Sequence, residues 1–406
     1  MNFRMDVRFQ KTIDRWVGIP ACMALSVFHF LVNLFRGPVV PQAPKRILVI
    51  LLSEIGSLVL AEPMFRSLRE RYPNAEIHTM LFARNKQVLD LLGFTRQEHC
   101  ISLRDESFGN FLMDLWRAVL RVRRIQFDVV IDCELFSRIS AILCGISAAQ
   151  TRVGFYRHAQ EIFYRGSFIN FPVVYNPYRH ISHQFVALAN AIDSQSNPSN
   201  KNIISPESFA PPQFTPEPGE VDQAVQQLHA NFPALAGKRI VLLYPSGGLL
   251  AVRAWPLQHY AQVAKQLIED GYAIGVIGMQ DDAPLANQLL AQCAFNSSCV
   301  NLTGYTATVR HLLLLFHHAK LLITNDGGPG QFAAMTSIPT IVFFGPETPT
   351  LYRSWSPYSH AFYTQLPCSP CLSAYNHRTS PCDGDNQCLK RILPAEVLKK
   401  ARSILD

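Results

Sequence analysis

The 406-residue chain has no concentrated basic block and no recognisable nucleic-acid module. Its 37 Lys and Arg stand against 30 Asp and Glu, and the net charge of +7 is spread along the sequence. Nucleic acid is therefore not an expected partner. The two halves share no sequence repeat. No small-residue cleavage site follows the one long apolar run, Val17–Phe35, and Arg36-Gly37-Pro38 suits a signal peptide poorly. Charged residues make up 17% of the chain and hydrophobic ones 48%, which at this length fits two globular domains with large cores.

Residues Ile323–Pro349 are the most informative stretch. An apolar run, Leu321–Ile323, leads into Asn325-Asp326-Gly327-Gly328. A short small-residue helix is expected over Gly330–Met335, then a second apolar run, Thr340–Phe344. Strand, glycine turn, helix, strand is the unit of a parallel α/β sheet. Backbone N–H groups at such a turn are suited to an anion. A carboxylate there, Asp326, suits sugar hydroxyls or a neighbouring cation instead. A companion segment, Arg239–Tyr244, is another apolar strand that ends in Pro245-Ser246-Gly247-Gly248 and is followed by Arg253-Ala254-Trp255-Pro256. Amides, a hydroxyl and a guanidinium fork are phosphate-binding chemistry. Together the two segments point to a site for a phosphorylated sugar donor.

From about Lys45 to the C-terminus the chain resembles glycosyltransferase family 9, the ADP-heptose:lipopolysaccharide heptosyltransferases and their relatives. The resemblance rests on YPSGG…RAWPLQHYAQVAKQLIEDGY…VIG and TNDGGPGQFAA…IPTIVFFGP. It implies two Rossmann-like, doubly wound domains in a glycosyltransferase-B fold. The C-terminal domain would hold a nucleotide sugar and the N-terminal domain a membrane-bound glycolipid or glycan acceptor. The implied reaction is an inverting sugar transfer in which the nucleotide sugar is a co-substrate. Leaving-group charge would be met by cations and N–H dipoles, with no cofactor or catalytic metal.

Three positions depart from the family pattern. Arg253 stands for the family lysine and keeps its charge. Gln331 stands for a histidine and loses titration near neutral pH. Ser57 stands for the aspartate taken as general base, and a serine cannot be a base unaided. The candidates left are carboxylates after N-domain strands. Glu54 follows the strand Arg46–Leu52 and Glu134 follows the strand Phe127–Asp132, with helix capping as the alternative role for each. On the donor side the expected contacts are Ser246, Gly247, Gly248, Arg253, Asp326, Gly327, Gly328 and Gln331, with Asp281 for the ribose and Tyr305-Thr306 for the base. Two other readings compete: a sugar-nucleotide 2-epimerase, and an inactive glycan- or nucleotide-binding domain.

The expected organisation is an N-terminal membrane-associated segment with a proline-rich linker over 1–44, an acceptor domain over 45–200, a linker over 201–236 and a donor domain over 237–406. The apolar run is close to the minimum spanning length. A simple span with a cytosolic N-terminus would carry the catalytic domains away from nucleotide sugars. A monotopic or re-entrant helix on the cytoplasmic face of the inner membrane is therefore expected. A helix packed on the body is the alternative, which His29 and Asn33 favour. Arg4, Arg8, Lys11, Arg15, Arg36, Lys45 and Arg46 suit anionic lipid, whereas the basic stretch Arg117–Arg124 reads as a solvated helix face. Four of ten cysteines cluster: Cys368, Cys371, Cys382 and Cys388. The spacing suits a structural zinc or reduced, packed thiols.

Overall fold

The computed structural model describes residues 7–35, 43–52, 55–135, 137–155, 164–194, 209–373 and 379–406. It divides into two compact units, Met1–Phe209 and Ala210–Asp406. Each is built on six parallel strands. In the first they are β1 (Arg46–Ile50), β2 (Glu76–Phe82), β3 (Cys100–Leu103), β4 (Val129–Asp132), β5 (Thr151–Phe155) and β6 (Phe171–Val173), in the order β3-β2-β1-β4-β5-β6. In the second they are β7 (Ile240–Tyr244), β8 (Ala273–Val276), β9 (Cys299–Asn301), β10 (Leu321–Asn325), β11 (Thr340–Phe344) and β12 (Ser359–Tyr363), in the order β12-β11-β10-β7-β8-β9. Read from their own first strands, both sheets have the doubly wound order 3-2-1-4-5-6. The strand order reverses between β1 and β4, and again between β7 and β10. Those two crevices at the carboxyl ends are where such sheets bind ligands.

The central strands are legible as apolar runs because helices cover both faces of a parallel sheet. Ile47–Ile50 and Val241–Leu243 are almost wholly buried, as are Leu321–Ile323 and Ile341. In the second unit Trp255, Tyr260, Val276, Phe343 and Leu389 form one continuous core.

The expected linker over 201–236 is not a linker throughout. Residues Glu220–Asn231 form a helix that packs on helix Val309–His318, and Arg310 clamps Glu220 with two bonds of 2.6 Å. An acidic residue in the first turn of that helix also suits its dipole.

The N-terminal segment forms α1 (Val7–Trp16) and α2 (Gly18–Leu34). Residues Thr12–Leu34 are long and apolar enough to cross a membrane. Even so, one narrow stripe of α2 is packed on the first unit. Gly18, Cys22, Ser26 and His29 repeat at helical spacing along it. A Cβ at Gly18 would lie 2.9 Å from Arg138 carbons. Cys22 is fully buried against Ala141 and Phe168. Ser26 accepts from Ser167 N–H at 2.9 Å, and His29 Nε2 lies 3.0 Å from Gly145 O. Asp14, in α1, accepts from the N–H groups of Arg138 and Ile139 at 2.8 and 3.3 Å and pairs with the Arg138 guanidinium at 2.9 Å. It thereby caps helix Arg138–Ile146 from outside that helix's own chain segment. The proline-rich linker lies largely outside the described residues. The segment before it is not a detached tether, because its removal would strip a cap and a layer of packing from the unit.

At the amino-terminal end of β2, His78 is buried and stacks on His99 with ring centroids 4.1 Å apart and planes at 20°. Glu76 lies 3.6 Å from His78 Nε2. Their ligand atoms lie close together. Near-parallel rings, however, aim their nitrogens along separate planes, so this trio is no assembled metal centre. It is instead a pH-sensitive contact. Burial, and then the neighbouring His99, lower the His78 pKa to about 4. The unfolded chain takes up a proton on this ring near pH 6.5, and the folded one only near 4. Stability is therefore intact above 6.5 and lost as pH falls between those values. Chemical unfolding at pH 6.5 and pH 4.5 should show His78→Phe losing less stability on acidification than the parent, by up to ~2 kcal/mol. Equal losses in both proteins would show that the stack does not titrate.

Candidate active site

Asn325 is the last residue of β10 and is fully buried. Its Oδ1 accepts from Trp255 N–H at 2.8 Å and from the Tyr260 hydroxyl at 3.1 Å. Its Nδ2 donates to Ser246 O at 3.0 Å. One side chain thus ties the loop after β7 to the end of β10, across the crevice where the strand order reverses. The loop after β7 is a tight turn. A Cβ at Gly247 would lie 2.7 Å from Leu250 O, and Gly248 has φ +60° and donates its N–H to Ser246 Oγ at 3.1 Å. Trp255 closes the segment by stacking on Phe343 and donating its indole N–H to Ile392 O at 3.0 Å.

Arg253, Asp326 and Glu347 meet at the carboxyl ends of β7, β10 and β11, and all three are buried. Arg253 Nη2 lies 3.5 Å from Glu347 Oε1, and Arg253 Nε lies 3.9 Å from Asp326 Oδ2. Two carboxylates thus flank one guanidinium and orient its fork. Sequence reasoning missed Glu347, although a carboxylate in Gly345-Pro346-Glu347, just after a buried strand, was the available signal.

The other expected donor residues fall into two groups. Ser246, Gly247, Gly248, Arg253, Asp326, Gly327 and Gly328 are brought to the one crevice by β7 and β10. Gly327 has φ 167°, an extended backbone, and its Cβ position is open, so nothing there demands glycine. Gln331 is buried in helix Gly328–Ala333 and donates to Tyr352 O at 2.7 Å, while its Oε1 is a buried acceptor without a protein donor. Asp281 is exposed in the turn after β8, where Asp282 serves as the cap by accepting from Met279 N–H at 2.8 Å. Thr306 is half-buried after β9. The Tyr305 ring packs edge-on to Phe232 at 5.2 Å and near His311 at 4.8 Å, which commits it to helix packing and not to a base pocket.

In the first unit, Glu54 lies outside the described residues, as does Ser53. Ser57 is half-buried in the first turn of helix Gly56–Arg71. Glu134 is buried just beyond β4, its N–H donating to Asp132 Oδ1 at 3.1 Å. Beneath it lies an ion pair that the sequence did not announce. Arg165 pairs with Asp132 and donates to Glu134 O, to Ser137 O at 3.1 Å and to Ser140 Oγ at 3.0 Å. Burial raises the Asp132 pKa, and Arg165 opposes that rise. This pair holds the Glu134 loop from below.

The cysteine cluster does not present an assembled tetrahedral set. Cys371 Sγ is 3.0 Å from Ser380 Oγ, and Cys382 Sγ is 3.3 Å from Asn386 Oδ1. Burial, and then the neighbouring Cys371, Cys368 and Cys382, push the Cys388 thiol up to about 11. Among the described residues only the Glu76, His78 and His99 trio has ligand atoms within metal-site spacing. The Asp383-Gly384-Asp385 triplet lies beside the cluster in an exposed loop, with Asp385 paired to Lys390.

Comparison with known proteins agrees with this arrangement. The profile of glycosyltransferase family 9 (heptosyltransferase) matches residues 115–380. Lipopolysaccharide heptosyltransferase 2 of Escherichia coli is 24% identical over 377 residues, covering 89% of this chain and 98% of that protein. Lipooligosaccharide heptosyltransferase 2 of Haemophilus influenzae is 24% identical over 310 residues, covering 75% of this chain and 84% of that protein. Among solved structures, E. coli ADP-heptose lps heptosyltransferase II has a TM-score of 0.66 at 23% identity and covers 89% of this chain and 98% of its own. A family 9 glycosyltransferase from Veillonella parvula has a TM-score of 0.67 at 18% identity, covering 89% and 97%. These likenesses establish the fold.

The Asn325 tie has a direct test. Asn325→Ala strips an acceptor from Trp255 and Tyr260 and a donor from Ser246. Denaturant unfolding should show a loss of about 2–4 kcal/mol. A loss under about 0.5 kcal/mol would mean that the loop after β7 is held by other contacts.

Proposed function

The chain belongs to glycosyltransferase family 9, and from that premise we propose that it transfers a heptose-like sugar from an ADP-activated donor to a lipopolysaccharide-type acceptor. The observation that carries this reading is the crevice at the carboxyl ends of β7 and β10. There a glycine turn, a guanidinium and a carboxylate are held together by Asn325. The amide of Gly247, the Ser246 hydroxyl and Arg253 face the diphosphate, with the Gly248 N–H holding the Ser246 hydroxyl in place. Asp326 and Glu347 accept from sugar hydroxyls and keep the Arg253 fork oriented. Departure of the nucleoside diphosphate is stabilised by Arg253 and the turn amides. The second unit holds the donor and the first holds the acceptor.

A base in the first unit removes the proton of the attacking acceptor hydroxyl. Glu54, on the loop after β1, is the first candidate. Glu134, on the loop after β4, is the second. Both loops border the crevice where the first sheet reverses its strand order. For the cysteine cluster, reduced and packed thiols fit the geometry better than zinc. The acceptor is membrane-bound, and the enzyme meets it at the cytoplasmic face of the inner membrane as a monotopic protein. The packed stripe of α2 supports that reading over a span, because a helix fixed along its length to a globular unit is not free to thread a bilayer. The 2-epimerase reading finds no support in the relatives, which are heptosyltransferases.

Thermal unfolding with ADP-heptose, UDP-hexoses and free ADP identifies the donor, since a ligand that binds only the native state raises the melting temperature. Stabilisation by a UDP-sugar but not by ADP-heptose would overturn the donor assignment. In calorimetry, Arg253→Ala should weaken donor binding by about 1.5–3 kcal/mol, and Arg253→Lys should be milder. Unchanged affinity in the alanine variant would remove Arg253 from the site. For the base, Glu54→Gln should lower turnover by about 10²–10⁴-fold with donor affinity retained. Normal turnover in Glu54→Gln with an inactive Glu134→Gln would move the base to the loop after β4.

A further inference from the structure

Helix Phe108–Ile125 is apolar over more of its circumference than the core uses. Phe111, Leu115, Ala118, Val119 and Val122 pack with Leu143 and Ile139 against the first sheet. On the adjoining face Leu112, Trp116 and Leu120 repeat at i, i+4 and i+8, and with Phe108 and Met113 they are exposed, Trp116 by 64%. An unburied apolar stripe of this kind on a monomer marks an interaction surface. The helix carries four arginines and one aspartate, and Glu106 just before it is exposed. Arg117 and Arg124 are exposed. Arg121 and Arg123 donate to Cys100 O at 3.1 Å and to Ile146 O at 3.2 Å. The one acidic residue of the helix, Asp114, is clamped by Arg104 through two bonds of 2.8 Å, which hold its pKa down near 2. Its charge is thereby offset, and the four arginines remain in excess.

The location of this stripe narrows the partner. Helix Arg138–Ile146 packs against both helix Phe108–Ile125 and α2. The exposed side of α2 carries Met23, Val27, Phe28, Phe30, Leu31 and Leu34. Two helices that flank a common neighbour both expose apolar side chains. We propose that the open face of helix Phe108–Ile125 is a second lipid-contacting element. It would lie in the headgroup region with Trp116 at the interface and Arg117 and Arg124 on anionic headgroups. The proposal rests on the reading that α2 docks on a membrane. It revises the view of Arg117–Arg124 as a merely solvated face, and it means that α2 is not the only grip on the bilayer.

The test uses the full chain and two kinds of vesicle, one of phosphatidylethanolamine with phosphatidylglycerol and one of phosphatidylcholine alone. The parent should partition onto the anionic vesicles. The double variant Leu112→Asn, Trp116→Asn should lose about tenfold or more of that partitioning, since two apolar side chains no longer leave water. Arg117→Gln with Arg124→Gln should lower binding to anionic vesicles only, and most at low salt. Brominated lipids should quench the fluorescence of a Trp16→Phe protein more than that of the same protein with Trp116→Phe. Circular dichroism confirms folding, since all five substituted positions are exposed. A parent that binds neither vesicle overturns both the docking reading and this proposal. A parent that binds, with partitioning unchanged in Leu112→Asn, Trp116→Asn, overturns this proposal alone. So does a double variant whose only change is a shift from dimer to monomer in light scattering, because the stripe would then join copies of the chain.

Discussion

The crevice between β7 and β10 depends on one buried amide. A doubly wound sheet leaves a gap between β7 and β10 because their following chains leave in opposite directions. Something must close the backbone polar groups at that gap, since buried N–H and C=O groups without partners are costly. Asn325 does so with a single side chain, accepting from Trp255 N–H and the Tyr260 hydroxyl and donating to Ser246 O. An aspartate could not donate, and a leucine could do neither. The turn of Ser246–Gly248, the start of helix Leu257–Glu269 and the position of Arg253 all follow from that tie. The loop after β7 is therefore set by the core and not by its own flexibility.

The N-terminal segment shows the same economy at the other candidate loop. Asp14 caps the helix that follows the Glu134 loop, and Asp132 with Arg165 supports the loop from beneath. Two independent ion pairs thus fix the chain on either side of Glu134. The first of them comes from the segment that carries the apolar helix. The element expected to meet lipid is in this way bonded to the element expected to meet the acceptor hydroxyl. A glycolipid headgroup has only a short reach from the bilayer surface, so a rigid connection between the two suits the chemistry better than a flexible tether would.

Much of this was readable from residue order. Strands buried on both faces appear as unbroken apolar runs, which is why β1, β4, β7, β10 and β11 were expected close to where they lie. The strands nearer the sheet edges were not. β3, β6 and β9 have only three or four residues, β5 is interrupted by Arg152 and Gly154, and β12 is half-exposed along its length, so no run stands out. The donor turn was legible because glycine, serine and arginine at a strand end have few other uses together. Glu347 was not, because a lone carboxylate after a strand is usually solvated. The pair of Asp132 and Arg165 joins residues from separate elements, and no local pattern announces it. The α2 stripe lay between these cases. His29 and Asn33 favoured a packed helix in the sequence, and His29 is buried while Asn33 is exposed; the spacing of Gly18, Cys22 and Ser26 went unread inside a run that suggested a membrane.

The charge balance of the donor crevice follows from its burial. A free guanidinium taken from water is costly, and so is a free carboxylate. Packing Arg253 between Asp326 and Glu347, at 3.9 and 3.5 Å, lowers both costs and fixes the direction of the guanidinium at the strand ends.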